Sequence, residues 1–364
     1  MQAKLILTNG TLFTGEAKGY KHSTSGEVVF STGMTGYDLS LTDPSYRGQI
    51  LTFTYPLIGN WGVPKKEFWE SEKIQVAGVI MSELCDKPSH WQSEKSLESW
   101  LIESKIPAIV GIDTRALTQK LRTSGVKLGK IIIGNNTQDF DDPNERNLVA
   151  EVSINELMIH QPNTKLHSPK IGLLNCGAKR NIINCLTKRG ATVYELPWNR
   201  NPFEEKLPLD GLVISNGPGN PKMAKESIKI IQKSMSKKIP TFGICLGNQL
   251  LALAAGGDTY KLKFGHRSQN QPTMEIGTKR CYITTQNHGY AVNDKKLPKG
   301  FKPWFTNAND GTNEGIKHEE YPFFSVQFHP ESYPGPTDTE WLFDYFLDKV
   351  KGNMPSNPME RVNK

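Results

Sequence analysis

Gly243-Ile244-Cys245-Leu246-Gly247 sets a nucleophile between two glycines at the spacing of a sharp strand-to-helix elbow. Small flanks let the backbone turn tightly enough to present the central thiol. The helix expected to follow, through Gln249, Leu250 and Leu251, favours a charged sulfur at its N-terminus. A free thiol is mostly protonated at neutral pH, so a proton acceptor is needed as well. His329, in Ser325-Val326-Gln327-Phe328-His329-Pro330-Glu331, would emerge at a strand end, with Glu331 placed to orient the imidazole or stabilise its protonated form. A cysteine in a Gly-rich turn can simply be buried, and H-P-E alone is a weak signal; together they describe nucleophilic attack on an amide carbonyl. Such attack builds negative charge on the carbonyl oxygen and calls for backbone N–H donors. Ser215-Asn216-Gly217-Pro218-Gly219 supplies a side-chain-poor loop after a strand, which with the N–H of Leu246 could form that oxyanion site.

Two other histidines compete. His288, in Gln286-Asn287-His288-Gly289-Tyr290, has no carboxylate two residues on and reads as a binding-loop or structural residue. His266, in Phe264-Gly265-His266-Arg267, has nothing nearby to complete a triad.

The elements that must position these residues fall into two halves. The first opens on alternating residues 4–8, Asn9-Gly10 and Thr11-Leu12-Phe13, a hairpin with a tight two-residue turn. Strand-like runs at 27–30, 49–54 and 76–81 and helical patterns at 96–103 and 114–123 make a mixed, β-rich α/β unit over residues 1–150. Residues 151–169 lose periodicity and read as a linker. From 170 to 352 strand and helix alternate: strands at 171–174, 192–196, 211–214 and 241–244, helices at 179–188, 224–236, 246–255 and 340–350. That rhythm predicts an α/β domain with a mostly parallel sheet covered by helices on both faces and chemistry at the carboxyl ends of its strands. Residues 353–364 read as a flexible tail.

Bulk composition narrows the class. A length of 364 residues favours two cores, and 37% hydrophobic with 22% charged residues fits ordered globular protein. The net charge of +7 is scattered over short lysine runs without interleaved aromatics, which argues against nucleic-acid binding. No apolar run suits a membrane span, and residues 1–13 lack the pattern of a signal peptide, so a cytoplasmic location is expected. Cys85, Cys176, Cys185, Cys245 and Cys281 form no C-x-x-C pair, which speaks against a disulfide framework and a structural zinc site.

The succession S-N-G-P-G, G-I-C-L-G-N-Q, Q-N-H-G-Y and H-P-E-S resembles the class I glutamine amidotransferases. The first half narrows this. Thr32-Gly33-Met34-Thr35-Gly36-Tyr37, Leu41-Thr42-Asp43-Pro44-Ser45-Tyr46 and Gly111-Ile112-Asp113-Thr114-Arg115 resemble the extra domain of carbamoyl phosphate synthetase small subunits. The resemblance implies a glutaminase with Cys245 as nucleophile, His329 as base and Glu331 as its orienting partner, working through a γ-glutamyl thioester. It further implies a glutamine site of Ser45, Gly217, Gly219, Leu246, Gln249, Asn287, Gly289 and Tyr290, with Ser45 reaching in from the other domain. No metal and no cofactor are implied in this chain, which shows no P-loop. ATP and Mg are expected on a large synthase subunit, in a heterodimer or an oligomer of heterodimers, making carbamoyl phosphate for arginine or pyrimidine synthesis. Asn248, Tyr290 and Phe328 stand where the family commonly has His, Phe and Gly. The competing readings are an amidotransferase subunit of another pathway, a noncatalytic regulatory subunit that keeps the fold, and a stand-alone thiol hydrolase.

Overall fold

A computed structural model describes residues 1–162 and 168–353. The chain divides into two compact units, Met1–Leu148 with Lys263–Ser268, and Val149–Leu262 with Gln269–Lys364.

In the first unit, β1 (Gln2–Leu7), β2 (Leu12–Gly19), β3 (Thr24–Ser31), β4 (Gln49–Phe53), β5 (Gly78–Ile80), β6 (Pro107–Val110) and β7 (Lys127–Ile133) close into a barrel in the order β1-β2-β6-β5-β4-β3-β7. Alternation along the strands sorts their side chains. Leu5, Val28, Ile50, Ile80 and Ile109 form one core with Leu117 and Leu121 of α2 (Thr114–Ser124). Val29, Leu51, Val79 and Ala108 form another with Leu97, Trp100 and Leu101 of α1 (Leu97–Glu103). Both helices start on side-chain caps, Ser96 accepting from the Ser99 N–H and Asp113 from the Ala116 N–H. The first hairpin corrects the expected two-residue turn. Leu7 N–H donates to Thr11 O and Gly10 N–H to Leu7 O, so three residues form the loop and only Gly10, at φ 80°, takes the left-handed conformation.

The second unit is built on one sheet. Its strands are β8 (Met158–His160), β9 (Lys170–Asn175), β10 (Thr192–Pro197), β11 (Gly211–Ile214), β12 (Thr241–Ile244), β13 (Thr259–Glu275, of which Lys263–Ser268 count with the first unit), β14 (Cys281–Val292), β15 (Phe301–Asn307), β16 (Asn313–His318) and β17 (Phe323–Val326), in the order β8-β10-β9-β11-β12-β17-β16-β15-β13-β14. The run β10-β9-β11-β12-β17 is parallel. The sheet as a whole is mixed where a mostly parallel one was expected: β8 pairs antiparallel with β10, and β17, β16 and β15 pair antiparallel in turn. For β17, β16 and β15 the cause is connection length. Residues 308–312 and 319–322 are too few for the crossover that parallel neighbours require.

Ile171, Leu173, Val213, Phe242, Ile244 and Val326 pack with α3 (Arg180–Lys188) and α6 (Trp341–Val350). Leu174, Leu212 and Ile214 pack with α4 (Lys225–Ser236) and α5 (Leu246–Ala254). Part of the expected linker over 151–169 is the strand β8, while 163–167 lie outside the described residues, as does the expected tail apart from Asn353. Among the described residues no helix is long and apolar enough to cross a membrane.

Candidate active site

Strand β12 ends at Ile244 and α5 begins at Leu246, leaving Cys245 alone to make the turn at φ 54° and ψ −101°. A positive φ is sterically disfavoured for a side-chain-bearing residue and persists only where the surroundings enforce it. Here they do. The Cys245 N–H donates to Val326 O at 2.8 Å, and its carbonyl accepts from the Asn248 N–H at 3.1 Å. The flanking glycines are required by crowding: a Cβ on Gly243 would lie 2.4 Å from Gly247 O, and one on Gly247 would lie 2.2 Å from Ile214 O.

The strand β17 carries the opposite wall. Phe324, Val326 and Phe328 join one core, while Ser325 within the strand and Gln327 and His329 in the segment that follows it do not. His329 and Glu331 are both buried, and Nδ1 of the imidazole lies 2.6 Å from Glu331 Oε1. Lys179, 3% exposed, places its Nζ 3.1 Å from the same oxygen and donates to Ser332 O. Asn181 donates to the backbone oxygen of Glu331. Burial opposes the charged imidazolium, but the Glu331 carboxylate and the neighbouring Cys245 outweigh it and raise the pKa of His329 above the ordinary histidine range. Burial likewise opposes ionised Glu331, yet the Lys179 ammonium and His329 hold its pKa below the usual carboxylate range. The other ring nitrogen, Nε2 of His329, is buried, and with Nδ1 taken by Glu331 it faces the Cys245 side chain, whose hydrogen bond is among the causes of the raised pKa. It is the atom left to exchange a proton.

The thiol reaches Asn287 O at 3.6 Å, and the side-chain amide of Gln327 reaches the sulfur at 3.7 Å. Gln249 is buried and donates to Tyr290 O at 2.8 Å, tying α5 to the Asn287-His288-Gly289-Tyr290 segment. His288 is engaged within that segment, Nδ1 with Tyr290 O at 2.8 Å and Nε2 with Gln286 Oε1 at 3.0 Å. Gly217 sits against the elbow: a Cβ there would lie 2.1 Å from Cys176 O and 2.8 Å from Leu246 Cδ2. Leu246 opens α5, so its N–H has no acceptor within the helix. Gly219 holds φ 82° in the same loop. Ser45 lies in the first unit, buried in the turn Pro44–Tyr46, with its N–H donated to Asp43.

The remaining cysteines contrast with Cys245. Burial pushes the thiols of Cys176 and Cys185 up to about 12, which keeps them protonated. Phe328 serves the core, its ring edge-on to Phe305 at 5.4 Å. Sequence alone assigned no role to Lys179 or Gln327. The alternation of Ser325, Gln327 and His329 was a usable signal for Gln327; a buried lysine at a helix start has no comparable signature.

Residues 172–349 match the glutamine amidotransferase class-I family, and residues 5–131 match the carbamoyl-phosphate synthase small chain CPSase domain. The carbamoyl phosphate synthase arginine-specific small chain of Neurospora crassa is 44% identical over 378 residues, covering 100% of this chain and 83% of that one. The multifunctional protein CAD of Squalus acanthias is 49% identical over 95% of this chain, and the mitochondrial carbamoyl-phosphate synthase [ammonia] of Mus musculus 46% over 96%. The chain spans only 16% and 24% of the length of those two proteins. Matched over its whole length at this identity, the chain belongs to the carbamoyl-phosphate synthase small chain family, with a class I glutamine amidotransferase domain.

Proposed function

We propose that the second unit hydrolyses glutamine and that its ammonia feeds an ATP-dependent synthase partner that makes carbamoyl phosphate. The observation that carries this is the buried chain Lys179–Glu331–His329 set beside Cys245, which the elbow holds at a positive φ and which is itself buried, not presented to solvent as the sequence suggested. One relative carries ammonia in its name, so similarity of this degree does not itself choose the nitrogen source. The cysteine array supports glutamine.

In this reading the thiol proton passes to Nε2 of His329 as the sulfur attacks the side-chain carbonyl carbon of glutamine. The carbonyl oxygen takes up the displaced electron pair, facing the N–H groups of Leu246 and the Gly217 to Gly219 loop. Collapse of that adduct breaks the carbon–nitrogen bond, His329 returns its proton to the departing nitrogen, and ammonia leaves a thioester on Cys245. Water then attacks the thioester, giving a proton to His329, and the sulfur recovers it as glutamate departs. Glu331 and Lys179 keep the imidazole oriented and basic throughout. Gln249, Asn287, Gly289 and Tyr290 line the glutamine side of the sulfur, and ATP and Mg act on the partner subunit.

Cys245→Ser tests the assignment in the assembled complex. Glutamine-dependent carbamoyl phosphate synthesis should fall to background while ammonia-dependent synthesis persists. Retained glutamine use would overturn it.

A further inference from the structure

Behind the nucleophile, buried polar groups form a chain that the steps above do not use. Ser325 Oγ donates to Asn248 Oδ1 at 2.8 Å, Asn248 Nδ2 donates to Gln327 Oε1 at 3.1 Å, and Gln249 Nε2 donates to the same oxygen at 3.1 Å. Gln327 Nε2 then reaches Cys245 Sγ at 3.7 Å. Ser325, Asn248 and Gln327 are each fully buried. An amide in such a place could in general face either way, since its two ends differ little in shape. Here the choice is made by the neighbours. The Tyr290 carbonyl can only accept, so it holds the Gln249 nitrogen, which donates to Gln327 Oε1; that oxygen draws the Asn248 nitrogen and leaves the Asn248 oxygen to the Ser325 hydroxyl. Two donors then occupy Gln327 Oε1, and its N–H groups are left pointing at the sulfur.

We propose that Ser325, Asn248 and Gln327 are positioning residues, a relay that fixes an N–H donor on the Cys245 sulfur and stabilises it once the thiol proton has moved to His329. The inference deepens the glutaminase reading and rests on it. Besides its interaction with His329, the sulfur has two contacts that divide its states between them. As a thiol it donates to Asn287 O, 3.6 Å away, and as a thiolate it accepts from Gln327. A hydrogen bond to an ionised acceptor is roughly twice as strong as a neutral one, so the relay favours the attacking form. His329 is the titrating group whose charge acts beside this sulfur, and Glu331 and Lys179 set that charge. The relay adds a donor and no charge of its own. Asn248 therefore has a defined task here: its amide supplies an acceptor to Ser325 and a donor to Gln327 together.

Gln327→Met keeps the bulk and removes the donor. Asn248→Leu keeps the bulk, adds no charge and removes one of the two donors on Gln327 Oε1. Each would be compared with wild type, using Cys245→Ser as blank, by the pH dependence of thiolate ultraviolet absorbance and of sulfur alkylation by iodoacetamide, without glutamine. Gln327→Met should slow alkylation at neutral pH by roughly tenfold and move both profiles toward alkaline pH, and glutaminase kcat should fall with KM little changed. Asn248→Leu should shift the profiles the same way by less, since Gln249 still holds the Gln327 oxygen. Profiles that coincide with wild type in a folded Gln327→Met, or in Asn248→Leu should the first fail to fold, would overturn the relay, because a merely structural role would alter stability and leave the sulfur titration in place. A wild-type chain that fails to hydrolyse glutamine would instead sink the glutaminase reading, and the glutamine-free titration would still judge the relay.

Discussion

Lys179 is a cation placed where almost no water reaches, 3.1 Å from Glu331. Removing one partner of a buried pair typically costs about 3–5 kcal/mol, because the other charge is left without compensation. In Lys179→Met the Glu331 carboxylate would lose its lysine cation, protonate at higher pH and release its hold on His329. The expected outcome is a lower unfolding midpoint, a glutaminase kcat reduced on the order of a hundredfold, and an acid limb of kcat/KM displaced upward in pH. Steady-state kinetics over a pH series checks all but the first, which calorimetry supplies. A lysine that merely packed would lower stability and leave the acid limb where it was.

At the scale of the element, the elbow depends on two chains passing at less than side-chain distance. Gly247→Ala would set a Cβ 2.2 Å from Ile214 O. Since α5 and β11 are both core elements, the strain has no easy outlet, and overpacking of this kind costs about 1–3 kcal/mol. The variant should lose thermal stability, and its glutaminase should fall further than stability alone explains, because relief of the clash moves Leu246 and its N–H. This element was legible in the sequence for a physical reason: glycines on both sides of a nucleophile at a strand end are what a turn this tight requires. The parallel strands and their helices were legible too, because apolar runs such as 171–174 and 211–214 alternate with amphipathic helices such as α3 and α4. The antiparallel half was not. Strand β13, Thr259–Glu275, mixes buried and exposed positions without a regular period, so nothing in its pattern announces a strand. Lys179 was hidden by a different rule, since lysine is normally a surface residue and only its partner explains its burial. Asn248 and Phe328 looked like departures beside the chemistry; the first joins an amide network and the second fills the core.

At the scale of the whole molecule, the same ionic chain makes stability depend on pH. Glu331 is held below its ordinary value of 4.5, so its contribution is complete above that pH and is lost as pH falls through the folded value. His329 is held above its ordinary value of 6.5, so its contribution is complete below that pH and is lost as pH rises through the folded value. Together they stabilise the fold most between about pH 4.5 and 6.5. The difference in unfolding midpoint between wild type and a Glu331→Gln, His329→Gln double variant should therefore be greatest near pH 5.5 and shrink by about pH 9. An unchanging difference across that range would show that the pair contributes packing alone. The crowding at Gly243 and Gly247 carries a last implication for anyone remodelling this catalyst. Changes of substrate or rate can be sought among side chains that face the sulfur, yet the backbone path that delivers it tolerates no added carbon, so evolution in the laboratory would have to explore around a fixed hinge of two bare positions.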